Sequence, residues 1–412
     1  MAPGPNAAGE VVMIHAGDMV FHTQPGRGPA VVDAEGCWLV EESGRRLLDM
    51  EAGIWCVVLG HGHRAVQERA AAQMARVVHT PKRLLSPVVE EAAQAVAASL
   101  PGGPWRVAFL SSGSEAVEFA LRIAREFTGR TPLAALRGSY LSALGTGKAL
   151  ARGDGFPELA LLPASAGKVT AGGPPAAEVL AETLDRQREA CGPPAALVLE
   201  SLLVSSGIHQ PDTELALQAC DRVRQWEGLV IANEVTTGLG RTGRWYGFQH
   251  HGVEPEIVVL GKALGNGFPV SAVAVRKDLA DTLSGQGFYY AQSHMNDPFG
   301  CAVAAEVLRV LETESVVESA DRIGAALGAS LAARLERWPT VSGVRGVGLV
   351  WGIELRSGAD AGAVWRDLLE RGVYTGVREE QRLLRLLPPL TISGSETAIC
   401  LEALDEVLVR SA

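Results

Sequence analysis

The chain has 412 residues, of which 47% are hydrophobic and 20% are charged, and its formal net charge is −10. This length predicts a large domain with a smaller one packed against it, because a single hydrophobic core stops growing at about 250–300 residues. The negative charge argues against nucleic acid or an anionic membrane surface as a partner, and it weakly favours a cationic substrate.

The apolar segments are too short to span a membrane. The runs Ala196 to Leu199 and Ile257 to Leu260 fall far below the roughly 20 residues that cross a bilayer. Met1 to Gly9 has neither a basic start nor an apolar core, so we read no secretory signal there and expect a cytoplasmic protein. The six cysteines include no CxxC pair, which predicts reduced thiols and argues against a zinc site or a disulfide framework.

Short apolar groups and turns between Gly28 and Asp49 predict a small antiparallel sheet, and helical spacing follows from Arg64 to Leu100. From about Trp105, short apolar strands alternate with amphipathic helices. This alternation predicts an α/β fold, in which helices cover both faces of a mostly parallel sheet. The predicted strands are 107–110, 133–136, 196–199 and 228–232, and the predicted helices are 114–128 and 215–226.

Residues 141–175 show no period and are predicted to form a surface loop. Helical spacing extends over residues 300–338, and the chain after it predicts a smaller α+β unit. We therefore predict that residues 1–63 contribute to a small domain, that residues 64–305 form the large domain, and that residues 306–412 complete the small one.

Lys262 directly follows an apolar strand and lies in the glycine-rich turn Gly261-Lys262-Ala263-Leu264-Gly265. The chain has five lysines, and only this one ends a segment that is predicted to be buried. Partial desolvation lowers the pKa of an amine and suits it to nucleophilic attack on an aldehyde. Taken alone, the placement is equally typical of a structural lysine that reaches solvent from a strand end.

The segment Ser111-Ser112-Gly113-Ser114-Glu115 follows the strand that ends at Leu110 and opens a helix. Backbone N–H groups and hydroxyls at a helix N-terminus favour an anion, here a phosphate. The same residues also suit a plain cap, in which Ser112 or Ser114 caps the helix and Glu115 favours its dipole. The GxGxxG fingerprint does not follow this strand, which disfavours a nicotinamide cofactor.

A third polar segment, Asn233 to Gly243, follows another predicted strand. Open α/β sheets bind ligands at the carboxyl ends of their strands. The sequence therefore predicts that this segment, the phosphate turn and Lys262 meet at one edge of the sheet.

Taken in order, these motifs resemble those of the class III aminotransferases, which are fold-type I pyridoxal phosphate enzymes. The resemblance extends over nearly the whole chain. The matching segments are Asp33 to Gly36, Gly53 to Cys56, Leu59 to His63, Ser112 to Ala116, Gly138 to Tyr140, Asn233 to Gly243, Gly261 to Ala263, Val344 to Gly346, Arg385, and Pro388 to Leu390.

The resemblance implies that Lys262 holds pyridoxal phosphate as a Schiff base. Ser293 resembles the residue whose hydroxyl reaches the phosphate from the neighbouring subunit, which implies a homodimer with its active sites at the interface. The other implied cofactor contacts are Ser112, Gly113 and Ser114 at the phosphate, Tyr140 over the ring, Val235 under it, Asn233 at the ring nitrogen and Thr236 near the phenolic oxygen.

Asn233 departs from the family, which has an aspartate that keeps the pyridine nitrogen protonated and so strengthens the electron sink. An amide loses that charge pair, worth at most about 4 kcal/mol at an effective dielectric constant near 20. One interpretation is that Asn233 is a tolerated near-isostere in a slower enzyme. The other is that a weaker sink favours epimerisation, isomerisation or elimination over full transamination.

Other departures concern the substrate side. Thr236 replaces a glutamine of many relatives. Ser205 lies where ornithine-type members carry a glutamate that pairs with a carboxylate-binding arginine, so Arg385, which matches that arginine, is expected to lack this glutamate partner. Arg385 is predicted either to hold a substrate carboxylate or to bridge the two domains. Trp55 matches a substrate-facing aromatic residue, and its alternative is a packed core tryptophan.

The sequence leaves the role of Glu200 open and assigns no functional role to two adjacent histidines. Glu200 ends an apolar strand, where it either contacts the cofactor region or caps the sheet edge. His250 and His251 are adjacent and are predicted to be surface residues.

The first functional hypothesis is an aminotransferase in which Lys262 carries the proton from Cα of the substrate to C4′ of the cofactor. The second is an epimerase or isomerase in which the same lysine returns the proton to the same carbon. The third is a noncatalytic protein, against which the retention of Lys262 argues. The candidate substrates are an omega-amino compound and an amino sugar or aminoglycoside-like polyamine.

Overall fold

The computed structural model describes residues 28–81, 83–153, 158–165 and 174–409. The interpretation of Met1 to Gly9 therefore lies outside the described residues. The strands are β1 (Val31–Glu35), β2 (Trp38–Glu41), β3 (Arg46–Asp49), β4 (Trp105–Leu110), β5 (Leu133–Leu136), β6 (Leu159–Leu162), β7 (Ala196–Leu199), β8 (Leu229–Asn233), β9 (Ile257–Leu260), β10 (Ser271–Arg276), β11 (Val341–Val347), β12 (Val350–Leu355), β13 (Val373–Tyr374), β14 (Gly376–Arg378) and β15 (Leu383–Leu386).

Helices alternate with the central strands and then dominate the second half of the chain. They are α1 (Ala52–Trp55), α2 (Arg64–Met74), α3 (Pro87–Ser99), α4 (Gly113–Thr128), α5 (Gly145–Arg152), α6 (Ala176–Cys191), α7 (Thr213–Gln225), α8 (Lys277–Gly285), α9 (Pro298–Thr313), α10 (Val316–Ala332), α11 (Ala361–Glu370) and α12 (Gly394–Leu408). Single 3₁₀ turns cover Gly247–His250, Lys262–Gly265, Leu335–Arg337 and Glu379–Gln381.

The central sheet has the strand order β4-β10-β9-β8-β7-β5-β6. All its pairings are parallel except those of β10, which runs antiparallel to both β4 and β9. Strands β5, β7, β8 and β9 are buried at every position, because helices cover both faces of the sheet. The predicted α/β fold is confirmed.

Two four-stranded sheets lie outside the central one, with the orders β1-β2-β3-β13 and β11-β12-β15-β14. In the first of them, β13 pairs in parallel with β3, and Val373 lies opposite Leu48. The N-terminal strands and the C-terminal part of the chain are thus joined by backbone hydrogen bonds. The domain boundaries at 63 and 305 remain predictions.

The prediction of a structureless loop over residues 141–175 was wrong. Within the described part of this region, α5 packs near the sheet and β6 adds a parallel edge strand beside β5. Leu159-Ala160-Leu161-Leu162 is only four residues long, too short to show a period by itself. The helical stretch from Gly300 to Trp338 is two helices, since Ser315 adopts a left-handed conformation (φ 51°) between α9 and α10.

All six cysteines are free, as predicted. Among the described residues, every helix is too short or too polar to cross a bilayer.

Candidate active site

The predicted functional side chains lie at one edge of the central sheet. Since β4 and β9 are both antiparallel to β10, they run in the same direction as each other and as β5, β7 and β8. The turn before α4 follows β4, Tyr140 follows β5, Glu200 follows β7, Asn233 ends β8 and Lys262 follows β9. The carboxyl ends of these strands therefore gather the residues that the sequence predicted to meet.

Val235 is the point at which three of these segments touch. A Cβ atom on Gly113 would lie 2.8 Å from Val235 Cγ1, and one on Gly261 would lie 3.2 Å from the same atom. The Cβ position of Gly261 is also 3.4 Å from the Cα atom of Gly113. The phosphate turn and the residue before Lys262 thus need glycine to approach Val235 this closely.

The N-terminus of α4 is open to a ligand. Ser112 caps the helix, and its Oγ accepts a hydrogen bond from the backbone N–H of Glu115 at 3.3 Å. Ser114 Oγ accepts one from the backbone N–H of Ala143 at 3.0 Å, which leaves its own hydrogen available. The cap that the sequence allowed is therefore present at Ser112, and the helix end retains the N–H groups that suit a phosphate.

Lys262 carries its amine into the centre of the site. Its Nζ donates a hydrogen bond to Thr236 Oγ1 at 2.9 Å and lies 5.0 Å from the ring centroid of Trp55. Desolvation lowers the pKa of Lys262, although the nearby Cys56 and Glu200 oppose this effect. A partly desolvated amine is a better nucleophile near neutral pH than an ordinary lysine.

A buried carboxylate and a buried amide lie beside Tyr140. Glu200 Oε2 accepts the backbone N–H of Tyr140 at 2.8 Å, and Glu200 Oε1 accepts Asn233 Nδ2 at 3.3 Å. Burial raises the pKa of Glu200 to about 8. The ring of Tyr140 is 49% exposed, so one side of it remains free to cover a ligand.

Arg385 pairs with a carboxylate other than the one that the sequence analysis considered. Its Nη2 lies 2.5 Å from Glu51 Oε1, and both side chains are buried. The guanidinium and the Lys262 amine each lie 5.0 Å from the ring centroid of Trp55. The predicted absence of a glutamate at position 205 therefore does not leave Arg385 unpaired.

This set of groups fits pyridoxal phosphate. Lys262 supplies a poised amine, the N-terminus of α4 supplies donors for a phosphate, and the glycine at 113 lets the turn before this helix pack directly against Val235. The exposed face of Tyr140 and the acceptor oxygen of Asn233 are suited to an aromatic ring with a nitrogen.

Comparison with known protein families identifies the family to which such a site belongs. The family model of the class III aminotransferases matches residues 24–408. The chain belongs to this family. An acetylornithine aminotransferase of Gloeobacter violaceus is 31% identical over 398 residues, which cover 95% of this chain and 96% of that protein.

Solved structures of transaminases share the fold of this chain. An (S)-enantioselective omega-transaminase from Thermomicrobium roseum has a TM-score of 0.82 and 30% identity, over 92% of this chain and 93% of that one. An amine transaminase from an uncultivated Pseudomonas species, solved in its PLP-bound form, has a TM-score of 0.86 and 25% identity, over 96% of this chain and 100% of that one. The protein is thus an aminotransferase that depends on pyridoxal phosphate.

Ser293 lies apart from the other predicted residues of this aminotransferase. It is exposed in the loop between α8 and α9, and this loop is tied to the central sheet by Asn296, whose Oδ1 accepts the backbone N–H of Phe109 at 2.8 Å. An exposed hydroxyl in this position agrees with a role towards a second subunit, which remains a prediction.

The prediction of two surface histidines was wrong for His251. Its side chain is 3% exposed, and its ring nitrogens contact Thr213 Oγ1 at 2.8 Å and the carbonyl oxygen of Ser201 at 2.9 Å. His250 is half-buried and contacts Thr242. Both histidines tie loops of this aminotransferase together behind the sheet edge.

Glu51 is the functional residue that the sequence reasoning missed. It follows Leu47-Leu48-Asp49 at the end of β3, and its partner Arg385 is 334 residues away. An acidic residue two positions after an apolar strand, and four positions before the predicted substrate residue Trp55, was the available signal. A similar signal identified Glu200, which directly follows β7.

Proposed function

We propose that this aminotransferase takes the terminal amino group of an omega-amino substrate and passes it to a keto acid. The observation that carries the proposal is the ion pair between Arg385 and Glu51, which lies beside Trp55, the same ring that the Lys262 amine approaches. The paired guanidinium presents little net charge. A donor whose reacting carbon bears no carboxylate therefore meets the aromatic face of Trp55 rather than a free cation.

The pair of Arg385 and Glu51 can also bind the second substrate, the keto acid. Arg385 Nε has no hydrogen-bond partner among the described residues, so the guanidinium has a donor to spare. The carboxylate of a keto acid matches the planar fork of an arginine and can take the place of Glu51. Desolvation raises the pKa of Glu51, although Arg385 opposes this effect, so a displaced Glu51 can leave the pair by taking up a proton.

Each remaining residue has a role at the reacting centre. When bound, pyridoxal phosphate supplies an aldehyde for covalent attachment of amines and a ring that withdraws electrons from the neighbouring carbon. Lys262 would hold the cofactor through Nζ, and once the amino substrate has displaced it, the freed amine can take up the proton from the substrate carbon and give it back during the transfer. Thr236 orients that amine through its 2.9 Å hydrogen bond, and the N-terminus of α4 anchors the phosphate.

The fate of the proton distinguishes amino transfer from the isomerase hypothesis. The relatives described above are named as aminotransferases or transaminases, which supports transfer. The test is incubation of the holoenzyme with an omega-amino donor in heavy water, with and without a keto acid. We expect stoichiometric carbonyl product from the donor, whereas deuterium at the donor carbon without any carbonyl product would contradict the proposal.

The role of Glu51 has its own test. Glu51→Gln removes the competing carboxylate, so we expect a lower KM for the keto acid and little change in kcat with an amine donor. Glu91→Gln, which alters an exposed pair with Arg69, is the matched control. An unchanged KM for several keto acids in Glu51→Gln would contradict the exchange of partners at Arg385.

The amino-sugar hypothesis rested on the acidic surface, the altered ring contacts and the missing glutamate partner of Arg385. Glu51 supplies a different carboxylate to this arginine, which weakens the third ground. We therefore place the omega-amino substrate first.

We further propose that the active enzyme is a homodimer. Leu84, Leu85 and Tyr289 are exposed at 63%, 99% and 75%, and they line one cavity of about 860 Å³ together with Tyr290 and Met295. An apolar surface of this kind favours burial against another protein. Ser293 lies in the same loop as Tyr289 and Met295, so a partner on this surface would come close to its hydroxyl.

A further inference from the structure

Asn233 and Glu200 form a buried pair at the carboxyl ends of β8 and β7. Their side chains are 3% and 7% exposed, and Asn233 Nδ2 lies 3.3 Å from Glu200 Oε1. Sequence comparison with the family identified Asn233 as a residue that has lost a charge. The structure places a carboxylate directly behind it.

Three contacts fix the orientation of the Asn233 amide. Its Nδ2 faces Glu200 Oε1 at 3.3 Å and the carbonyl oxygen of Tyr140 at 3.4 Å, and its Oδ1 accepts the backbone N–H of Val235 at 3.3 Å. A flipped amide would place oxygen against two acceptors and nitrogen against a donor. The free position on Asn233 is therefore the second lone pair of Oδ1, which can only accept a hydrogen bond.

An acceptor at this point selects the protonated form of a ring nitrogen. An unprotonated pyridine nitrogen is itself an acceptor and would face Oδ1 without a hydrogen, whereas the N–H of a pyridinium can donate to it. Geometry alone thus favours the protonated ring, and a counter-charge is still needed to keep it so.

Glu200 is placed to provide that charge. Both of its hydrogen bonds within the described residues come from donors, the Tyr140 N–H and Asn233 Nδ2, and donors stabilise a carboxylate. Burial raises the pKa of Glu200 to about 8, so its ionised form depends on a nearby cation. A protonated ring nitrogen, one amide group away, is such a cation.

We propose that Glu200, acting through Asn233, keeps the ring nitrogen of pyridoxal phosphate protonated and so replaces the aspartate that other members of the family use. Glu200 is a positioning residue, since Asn233 and not Glu200 touches the ring. The inference rests on the proposed function only because it requires bound cofactor. A ring that stays protonated keeps its capacity to withdraw electrons, so the physical reason for expecting isomerisation disappears.

The test is the ¹⁵N chemical shift of the ring nitrogen in holoenzyme reconstituted with ¹⁵N-labelled pyridoxal phosphate. We expect the protonated shift at neutral pH in the wild type and a shift towards the unprotonated value in Glu200→Gln. The pH at which the nitrogen loses its proton should fall by about one unit or more in this variant. Adding Asn233→Asp to Glu200→Gln should restore the protonated shift, because it puts a carboxylate directly beside the ring.

Asn233→Leu is the second variant, since it breaks the connection and leaves Glu200 in place. It should lose the protonated shift to the same extent as Glu200→Gln. An unchanged shift in either variant would overturn the inference. The proposed function is checked separately: a visible cofactor band that is unchanged in Lys262→Ala would contradict covalent attachment at Lys262, whatever the ring nitrogen does.

Discussion

Lys262 lies in an unusual backbone conformation, with a φ angle of 40° directly after β9. Left-handed conformations cost a non-glycine residue about 1–2 kcal/mol, so the surrounding structure must hold the turn. Asn266 does so, because its Oδ1 accepts the backbone N–H of Leu59 at 2.8 Å and its Nδ2 donates to the carbonyl oxygen of Gly60 at 3.1 Å. The turn that presents the amine is thus bound to the segment that follows Trp55.

The pH dependence of stability reports on Glu200. Its pKa is 4.5 in the unfolded chain and about 8 when folded, so the folded state binds the extra proton between these values. The contribution of Glu200 to stability is therefore greatest below pH 4.5 and falls as the pH rises to 8, by up to about 1.4 kcal/mol per unit.

Chemical denaturation of the cofactor-free enzyme from pH 5 to pH 8 measures this loss. Glu200→Gln should not show it, so the unfolding free energy of the wild type minus that of the variant should decrease as the pH rises. An increase in this quantity with pH would contradict a raised pKa at Glu200.

A substitution at Gly113 tests whether the turn before α4 binds the cofactor. The methyl group of Gly113→Ala would meet Val235 Cγ1 at 2.8 Å and push it towards the cofactor position. Overpacking of this kind costs about 1–3 kcal/mol, so we expect a loss of about tenfold or more in affinity for pyridoxal phosphate, measured by fluorescence titration. Gly394→Ala, where a methyl group meets nothing within 4 Å, should leave affinity unchanged.

The residues that bear the chemistry were predictable where a motif is continuous in sequence. Lys262, Gly113 and Asn233 each lie directly after an apolar strand, and parallel strands bring such positions to one edge. The partner of Arg385 was not predictable in this way, because Glu51 comes from a different sheet and from the other end of the chain. Pairings across such distances depend on how the sheets pack.

At the scale of elements, the alternation of strands and helices predicted the central sheet but not its antiparallel member. Strand β10 reads as Ser-Ala-Val-Ala-Val-Arg, with small residues that carry little signal. It runs antiparallel to β9, to which it is joined by residues 261–270 without the long helical crossover that a parallel neighbour needs. The break between α9 and α10 was missed because Ser315, and not glycine or proline, adopts the left-handed conformation.

Helix α10 packs closely on β12 through Gly328. A Cβ atom there would lie 2.1 Å from the Trp351 ring, which is itself held by a 2.7 Å hydrogen bond to the carbonyl oxygen of Gly348. Alanine in a helix is normally favoured over glycine by about 1 kcal/mol. We expect Gly328→Ala to destabilise instead, by about 1–3 kcal/mol in thermal unfolding. An increase in Tm would show that α10 does not pack against Trp351.

At the scale of the whole molecule, the proposed dimer would combine residues of two chains in each site. Mixed dimers of Lys262→Ala and Ser293→Ala test this arrangement directly. If Ser293 serves the partner's site, the subunit that keeps Lys262 receives an intact Ser293 from its partner. We therefore expect wild-type cofactor affinity at this site, which is half of all sites in the mixed dimer. If Ser293 acts within its own chain, the same subunit carries Ser293→Ala in its own site, and its affinity would be weakened.

The central claim is that Lys262 is the residue that holds pyridoxal phosphate. Reduction of the holoenzyme with borohydride fixes the cofactor to its lysine, and peptide mass mapping then locates it. The chain has only five lysines, so the assignment is unambiguous. We predict a phosphopyridoxyl group on the peptide that contains Lys262, whereas a label on any other lysine, or on none, would contradict the account.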